Sequence, residues 1–90
     1  MIHVTGSLIC ANDAQRQIVL AYLPAHIAAS RAEPGCVKFD VQPTDDPLVW
    51  QLDECFASAG DFAAHQQRTK ASLWGQVSSE IGRDYTLTEA

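Results

Sequence analysis

The stretch that most constrains the fold is residues 50–65, WQLDECFASAGDFAAH. Its first part alternates large apolar residues with polar ones, which is typical of a β-strand with one buried face. Ser58 and Asp61 then have the spacing of a capping box, so a helix is expected to begin there. A strand that leads through a short turn into a helix defines one β-α unit, and the rest of the chain can be placed around it.

Glu54 is the exception on the apolar face of this predicted strand, which covers residues 48–56. A carboxylate among large apolar side chains needs a cation or a histidine as partner, or else its pKa rises. In the helix that follows, Phe62 and His65 share one side because they are three positions apart. His65 is therefore the nearest candidate partner for Glu54 in the sequence. The residues that share the face with Glu54 are Leu48, Trp50, Leu52 and Phe56.

Alternation of apolar and polar residues predicts three further strands, at residues 2–10, 36–41 and 82–89. In the first of these, Gly6 lies in mid-strand beside Ser7. A glycine at such a position indicates a bulge, or else a close approach by ligand or backbone. We favour a bulge with nothing bound.

A long helix is predicted between the first two strands. Asn12 and Gln15 form a capping-box pattern, and apolar residues follow at spacings of three and four. Pro24 lies within this pattern, so a kink or two abutting helices are expected. His26 lies on the apolar face, where a histidine bonded to a backbone carbonyl is commoner than a catalytic one. The helix should end before residues 33–35, EPG, because the residue before a proline disfavours the α region.

The predicted order of elements is β-α-β-β-α-β, with a further helix or a bent continuation at residues 69–80. This is the order of the α+β, ferredoxin-like fold, an antiparallel sheet with helices on one face. Ninety residues make one domain, 1–90. Each strand has apolar residues on both faces, so we expect a second subunit to cover the open face and form a homodimer. A solvated face with scattered apolar residues is the alternative.

Composition limits the classes of partner. The net charge is -5 and the isoelectric point is about 4.8. Nucleic acids and anionic membranes need a basic patch to displace counterions, so neither is an expected partner. The chain has no apolar stretch near the length of a spanning helix and no signal-peptide pattern at its start. We therefore expect a cytoplasmic protein.

Neither the cysteines nor the histidines indicate a metal site. The cysteines are odd in number and lack metal-type spacing, so they are expected to be reduced thiols in the core. The histidine spacings fit no closed ligand motif. We therefore predict no metal and no disulfide. The residues concerned are Cys10, Cys36, Cys55, His3, His26 and His65.

Four segments, in their order and spacing, resemble the antibiotic biosynthesis monooxygenase family. The family belongs to the dimeric α+β barrel group, which includes small quinol monooxygenases. The resemblance covers essentially the whole chain. The segments are residues 30–36, SRAEPGC; 39–41, FDV; 54–56, ECF; and 62–65, FAAH.

The resemblance implies a cofactor-independent monooxygenase that oxidises a quinol, an anthrone or a similar electron-rich phenol with dioxygen. Such an enzyme binds the ring in an apolar cavity, assists proton removal and stabilises the resulting anion. We expect His65 to act as base or hydrogen-bond donor and Glu54 to orient it. The expected substrate-binding residues, some of which can equally be plain core, are Ser7, His26, Phe39, Trp50, Phe62 and Trp74.

Other functions within the same superfamily fit less well. The haem-degrading branch has an asparagine in its first strand and a tryptophan in the helix after its third strand. Here Gly6 or Ser7 and His65 stand at those places, so haem is not an expected ligand. An isomerase of a small phosphorylated signalling molecule remains an alternative, although a phosphate needs more positive charge than the scattered arginines provide. A dimeric module that binds a small molecule or responds to stress without catalysis is another alternative.

Overall fold

A four-stranded antiparallel sheet carries the helices on one of its faces. The computed structural model describes residues 1–89. The strand order is β2-β3-β1-β4, which confirms the predicted ferredoxin-like fold. The elements are β1 (Ile2–Ile9), α1 (Asp13–Arg31), β2 (Cys36–Pro43), β3 (Val49–Phe56), α2 (Ala59–Ala71), α3 (Leu73–Val77) and β4 (Gly82–Glu89).

The long helix α1 is continuous through Pro24, so of the two predicted alternatives, a kink or two abutting helices, the second is wrong. Proline leaves the carbonyl of the residue four positions earlier, Leu20, without its helical donor. Leu20 is 50% exposed, so water can bond that carbonyl instead. At the start of the helix the predicted cap is confirmed, because the backbone N–H of Gln15 donates to Oδ1 of Asn12 at 3.0 Å.

A sharp corner separates α2 from α3. Ser58 caps α2 as predicted, since the backbone N–H of Asp61 donates to its Oγ at 3.1 Å. Of the two alternatives predicted for residues 69–80, the further helix is confirmed as the short α3, and residues 69–71 belong to the end of α2. Ser72 adopts extended backbone between the two helices and caps α3 by accepting from the N–H of Gly75. Gly75 lies against the backbone carbonyl of Thr69, where a Cβ atom would overlap the oxygen.

Gly6 marks a close backbone approach and not the bulge that we favoured. β1 stays in register with both neighbouring strands through Gly6, whose φ is 151°. A Cβ atom on Gly6 would overlap the carbonyl oxygen of Asp84 in β4. The absence of a side chain therefore lets β4 lie directly beside β1.

The core lies between the sheet and the helices in two apolar clusters. The first includes Trp50 and Trp74, and the second includes Phe39 and Phe56. Several polar side chains are buried with them, notably His26, Glu54 and His65. None of the helices within residues 1–89 is long and apolar enough to cross a membrane.

The sheet face away from the helices is largely polar. Lys38 in β2 pairs with Asp53 in β3 at 2.7 Å, and His3 in β1 lies 4.0 Å from the same carboxylate. Ile9 and Val49 are apolar exceptions on this face, and Ile9 is 41% exposed. At one edge of the sheet, every residue of β4 is exposed.

Candidate active site

A cavity of about 180 Å³, which we name the inner cavity, lies between the sheet and α2 and α3. Its lining combines apolar side chains with several ionisable ones. The apolar lining comes from Val4, Phe62 and Trp74. The polar lining comes from His26, Glu54, His65, Gln66, Thr69, Arg83 and Tyr85.

The structure brings most of the predicted site residues to this cavity. Both expected catalytic residues, Glu54 and His65, line it, as do His26, Phe62 and Trp74. Phe39 packs behind the two imidazoles, with its ring centroid 5.5 Å from that of His26 and 5.5 Å from that of His65.

Two predicted substrate-binding residues lie elsewhere. Trp50 is buried in the first apolar cluster, and its exposed edge borders a separate groove beside Val19 and Pro24. Ser7 alternates with buried Leu8 and therefore belongs to the sheet face away from the helices. Neither residue lines the inner cavity.

His65 is oriented by a hydrogen bond from its Nδ1 to the carboxylate of Glu33. Nδ1 of His65 lies 2.7 Å from Oε1 of Glu33, in the turn that ends α1. The expected partner, Glu54, lies on the other side of the ring, with Oε1 4.0 Å from Nε2. That separation is too long for a hydrogen bond and lies at the outer limit of an ion pair. His65 therefore stands between two carboxylates.

Glu33 is held as a carboxylate by its other contacts. Nε of Arg68 donates to its Oε2 at 2.9 Å, and a terminal nitrogen of Arg68 donates to buried Ser30 at 3.0 Å. Burial alone would raise the pKa of Glu33, but the hydrogen bonds from Arg68 and His65 hold that pKa below its usual value. An ionised carboxylate only accepts hydrogen bonds, so Nδ1 of His65 carries the proton. In the neutral ring, Nε2 is then the free acceptor beside Glu54.

Glu54 is a carboxyl group in an unusual environment. It is 7% exposed and makes no hydrogen bond with any residue in the described part of the chain. Burial, and then the charge of Glu33, raise its pKa to about 7. A carboxyl group with such a pKa can take up or release a proton near neutral pH.

His26 is buried and neutral. Its ring stacks on that of Trp74, with centroids 5.8 Å apart, and its Nδ1 finds no hydrogen-bond partner among residues 1–89. Burial, and then the neighbouring His65, lower its pKa to about 4. The ring therefore contributes a neutral polar edge to the cavity at physiological pH.

Arg83 and Tyr85 also line the inner cavity, although the sequence did not indicate them as site residues. Their alternation in the last strand placed them on one face, but only the position of β4 beside β1 brings them to the cavity. The guanidinium of Arg83 donates to the backbone carbonyls of Ser78 and Ile81 and lies 5.9 Å from the ring centre of Trp74. Burial of its hydroxyl raises the pKa of Tyr85 to about 12, so this group stays a hydrogen-bond donor.

The arrangement suits proton transfer more than metal binding. No group of three metal-ligating side chains occurs within residues 1–89. His65 has one nitrogen fixed by Glu33 and the other free, and Glu54 can exchange a proton beside it. Two proton-accepting groups and two donors, Arg83 and Tyr85, thus line one small cavity.

Solved structures share this fold at low sequence identity. A candidate antibiotic biosynthesis monooxygenase from Nitrosomonas europaea superposes with a TM-score of 0.79 at 22% identity, covering 100% of this chain and 98% of that one. A similarly described protein from Deinococcus radiodurans gives 0.81 at 18% identity, with 100% and 92% covered. A Bacteroides thetaiotaomicron protein described as a possible oxidoreductase gives 0.75 at 19% identity, with 97% and 92% covered.

The sequence itself matches one family. No curated protein matches it significantly. The sequence profile of the family described as antibiotic biosynthesis monooxygenase matches residues 1–74, which run from β1 into α3 and include Glu33, Glu54 and His65. The chain therefore belongs to the antibiotic biosynthesis monooxygenase family.

Proposed function

We propose that the protein is a cofactor-independent monooxygenase that oxidises a quinol or a related electron-rich phenol with dioxygen. The observation that carries the proposal is the buried sequence of contacts from Glu33 to His65 to Glu54 at the wall of the inner cavity. Family membership supports the same class of reaction. Dioxygen and a small aromatic molecule are the proposed substrates.

The proposed reaction needs only a base and a cavity. Removal of the phenolic proton gives a phenolate, which can pass one electron to dioxygen. The phenoxyl radical and superoxide combine to form a carbon–oxygen bond, and protonation gives a hydroperoxide. Loss of water leaves one oxygen atom on the ring as a carbonyl, while the other leaves in the water. The substrate supplies every electron, so the overall change is quinol plus O₂ to hydroxyquinone plus water.

His65 is the proposed base. Glu33 fixes Nδ1–H, which leaves the lone pair of Nε2 on the side of the ring that Glu54 shares. When His65 takes the phenolic proton, the imidazolium is stabilised by carboxylate on both sides. Glu54, with a pKa of about 7, can then accept that proton and return it to the peroxide anion, which becomes the hydroperoxide.

Arg83 and Tyr85 are the proposed stabilisers of the phenolate. Each keeps its proton at neutral pH, and both line the same cavity as His65. A positive charge and a hydroxyl donor at the cavity wall stabilise negative charge that develops on the substrate oxygen.

The size of the inner cavity favours a single aromatic ring. An apolar protein cavity of about 150 Å³ is large enough to bind benzene. The inner cavity, at about 180 Å³, has room for one ring with small substituents. A three-ring anthrone would need the cavity to enlarge. We therefore expect a monocyclic quinol to be oxidised faster than an anthrone.

Oxygen uptake tests the proposed function. The wild-type protein should consume O₂ with a monocyclic quinol faster than autoxidation does, and His65→Ala should lower turnover at least about tenfold. His3→Ala is the matched control, because His3 is exposed on the opposite face of the sheet. Uptake no faster than autoxidation in the wild-type protein would favour a non-catalytic binding module. Near-normal turnover by folded His65→Ala would reject His65 as the base.

The phosphate-dependent isomerase finds no support in the contacts. Arg68 is committed to Glu33 and Ser30, so Arg83 offers only a single positive charge at the inner cavity against the nearly two negative charges of a phosphate. A phosphate would also lie beside two glutamates, which would repel it. The site thus offers proton acceptors and a single positive charge, whereas a phosphate needs several cations.

A further inference from the structure

A second cavity, which we name the outer cavity, adjoins the inner cavity. Its volume is about 150 Å³, and it lies between α1 and the corner that joins α2 to α3. His26 and Trp74 line both cavities. The two spaces are therefore separated by the stacked rings of these two residues.

The outer cavity is largely apolar and open to solvent. Ala25 and Ala29, one turn apart on α1, form one wall, and Leu73 of α3 forms part of the other. All three residues are exposed, and Leu73 is 59% exposed. Small apolar molecules partition from water into such a space.

The organic substrate has a different opening. Gln66 and Tyr85 line the inner cavity and are exposed, so the inner cavity has its own access from the β4 side. A one-ring substrate fills most of about 180 Å³ and so blocks that opening once bound. Dioxygen that must reach an already bound substrate then needs another route.

The stacked rings of His26 and Trp74, which separate the cavities, can move without breaking a hydrogen bond at Nδ1 of His26. Nδ1 of His26 lacks a hydrogen-bond partner in the described part of the chain, and the rings of Phe39, His65 and Trp74 pack around the side chain. Its centroid is 5.8 Å from that of Trp74, so the two rings are offset. A small rotation of either ring would join the cavities for a molecule as small as dioxygen.

From these contacts we propose that the outer cavity is a binding site and access route for dioxygen, with His26 and Trp74 as its inner gate. This inference rests on the proposed oxygenase function and adds to it where the second substrate enters. The organic substrate enters from the β4 side, and dioxygen arrives from the α1 side. The two substrates therefore do not compete for one opening.

Narrowing the outer cavity tests the route kinetically. Ala29→Leu adds bulk to the wall without touching the inner cavity, and it should lower kcat/KM for O₂ at least about fivefold while the quinol KM stays within about twofold. Ala28→Leu is the matched control, since Ala28 is exposed on the same helix and borders neither cavity. Ala25→Leu serves as a second variant should Ala29→Leu not fold. Unchanged kcat/KM for O₂, or an equal loss in kcat/KM for the quinol, would overturn the proposal.

Xenon tests the same site without turnover. Xenon binds in apolar cavities, so crystals of the wild-type protein under xenon pressure should show it in the outer cavity. Crystals of Ala29→Leu should lose that site. Xenon found only elsewhere would overturn the route even if quinol oxidation is observed. Xenon in the outer cavity of a protein that oxidises no quinol would instead refute the proposed function and leave the gas site standing.

Discussion

Burial moves the pKa values of Glu54 and His26 in opposite directions. The pKa of Glu54 rises from 4.5 to about 7, so between these values the folded protein binds the extra proton and stability falls as pH rises. The pKa of His26 falls from 6.5 to about 4, so over that range the unfolded chain binds the extra proton and stability rises with pH. The two windows overlap, and the two effects largely cancel in the wild-type protein.

Replacing Glu54 should remove the contribution to stability that falls as pH rises. Relative to wild type, the free energy of unfolding of Glu54→Gln should rise from pH 4.5 to pH 7. The expected gain is on the order of 3 kcal/mol, because each unit of pKa shift corresponds to about 1.4 kcal/mol. Urea titrations at a series of pH values measure it.

Glu80→Gln is the matched control, because it removes an equal charge from an exposed position. The gain with pH depends on burial of the carboxyl group, so it should be confined to the Glu54 variant. A flat difference for Glu54→Gln would show that the carboxyl group of Glu54 is not desolvated in the folded protein.

At the scale of elements, the features predicted correctly are those with local signals. The caps at Asn12 and Ser58 and the whole of the last strand follow from residue types within a few positions. The continuity of α1 through Pro24 was not predictable in this way, because it depends on which side of the helix faces solvent. The break at Ser72 likewise depends on how α3 packs back against α2.

The site was predictable only in part, for a related reason. Alternation in β3 placed Glu54 on the buried face, and helical spacing placed His65 on the cavity side of α2. Glu33 lies 32 positions before His65 in the sequence, so no local pattern joins them. A weak signal did exist, because a glutamate just after a helix C-terminus is opposed by the helix dipole unless cations offset it. Arg68 and His65 supply that compensation.

The corner between α2 and α3 makes a prediction at this scale. Gly75→Ala would place a methyl group against the backbone carbonyl oxygen of Thr69, and neither backbone can yield easily. We expect a loss of at least about 2 kcal/mol in the free energy of unfolding, despite the higher helix propensity of alanine. Chemical denaturation followed by circular dichroism measures it.

Gly60→Ala is the matched control for Gly75→Ala. Gly60 lies in the first turn of α2, where the nearest atom to an added Cβ, Oγ of Ser58, is 3.8 Å away. The free energy of unfolding of Gly60→Ala should stay unchanged or rise by up to about 1 kcal/mol, because alanine has the higher helix propensity. If Gly75→Ala behaved like Gly60→Ala, the close packing at the corner would be ruled out.

At the scale of the whole molecule, β4 is left uncovered. It pairs with β1 on one side only, and every one of its residues is exposed. Leu87 is 52% exposed and Tyr85, which lines the inner cavity, is 40% exposed. The unpaired edge of the sheet and the exposed wall of the inner cavity therefore both lie at β4. Exposed strand edges are usually covered in native proteins.

We propose that a second copy of the chain covers β4 and forms a homodimer. Sedimentation velocity should give the mass of a dimer for the wild-type protein, and Leu87→Asp should shift it toward monomer because it places a charge in the buried contact. Leu20→Asp is the matched control, since Leu20 is 50% exposed on α1. A wild-type protein that sediments as a monomer at every concentration would disprove the dimer.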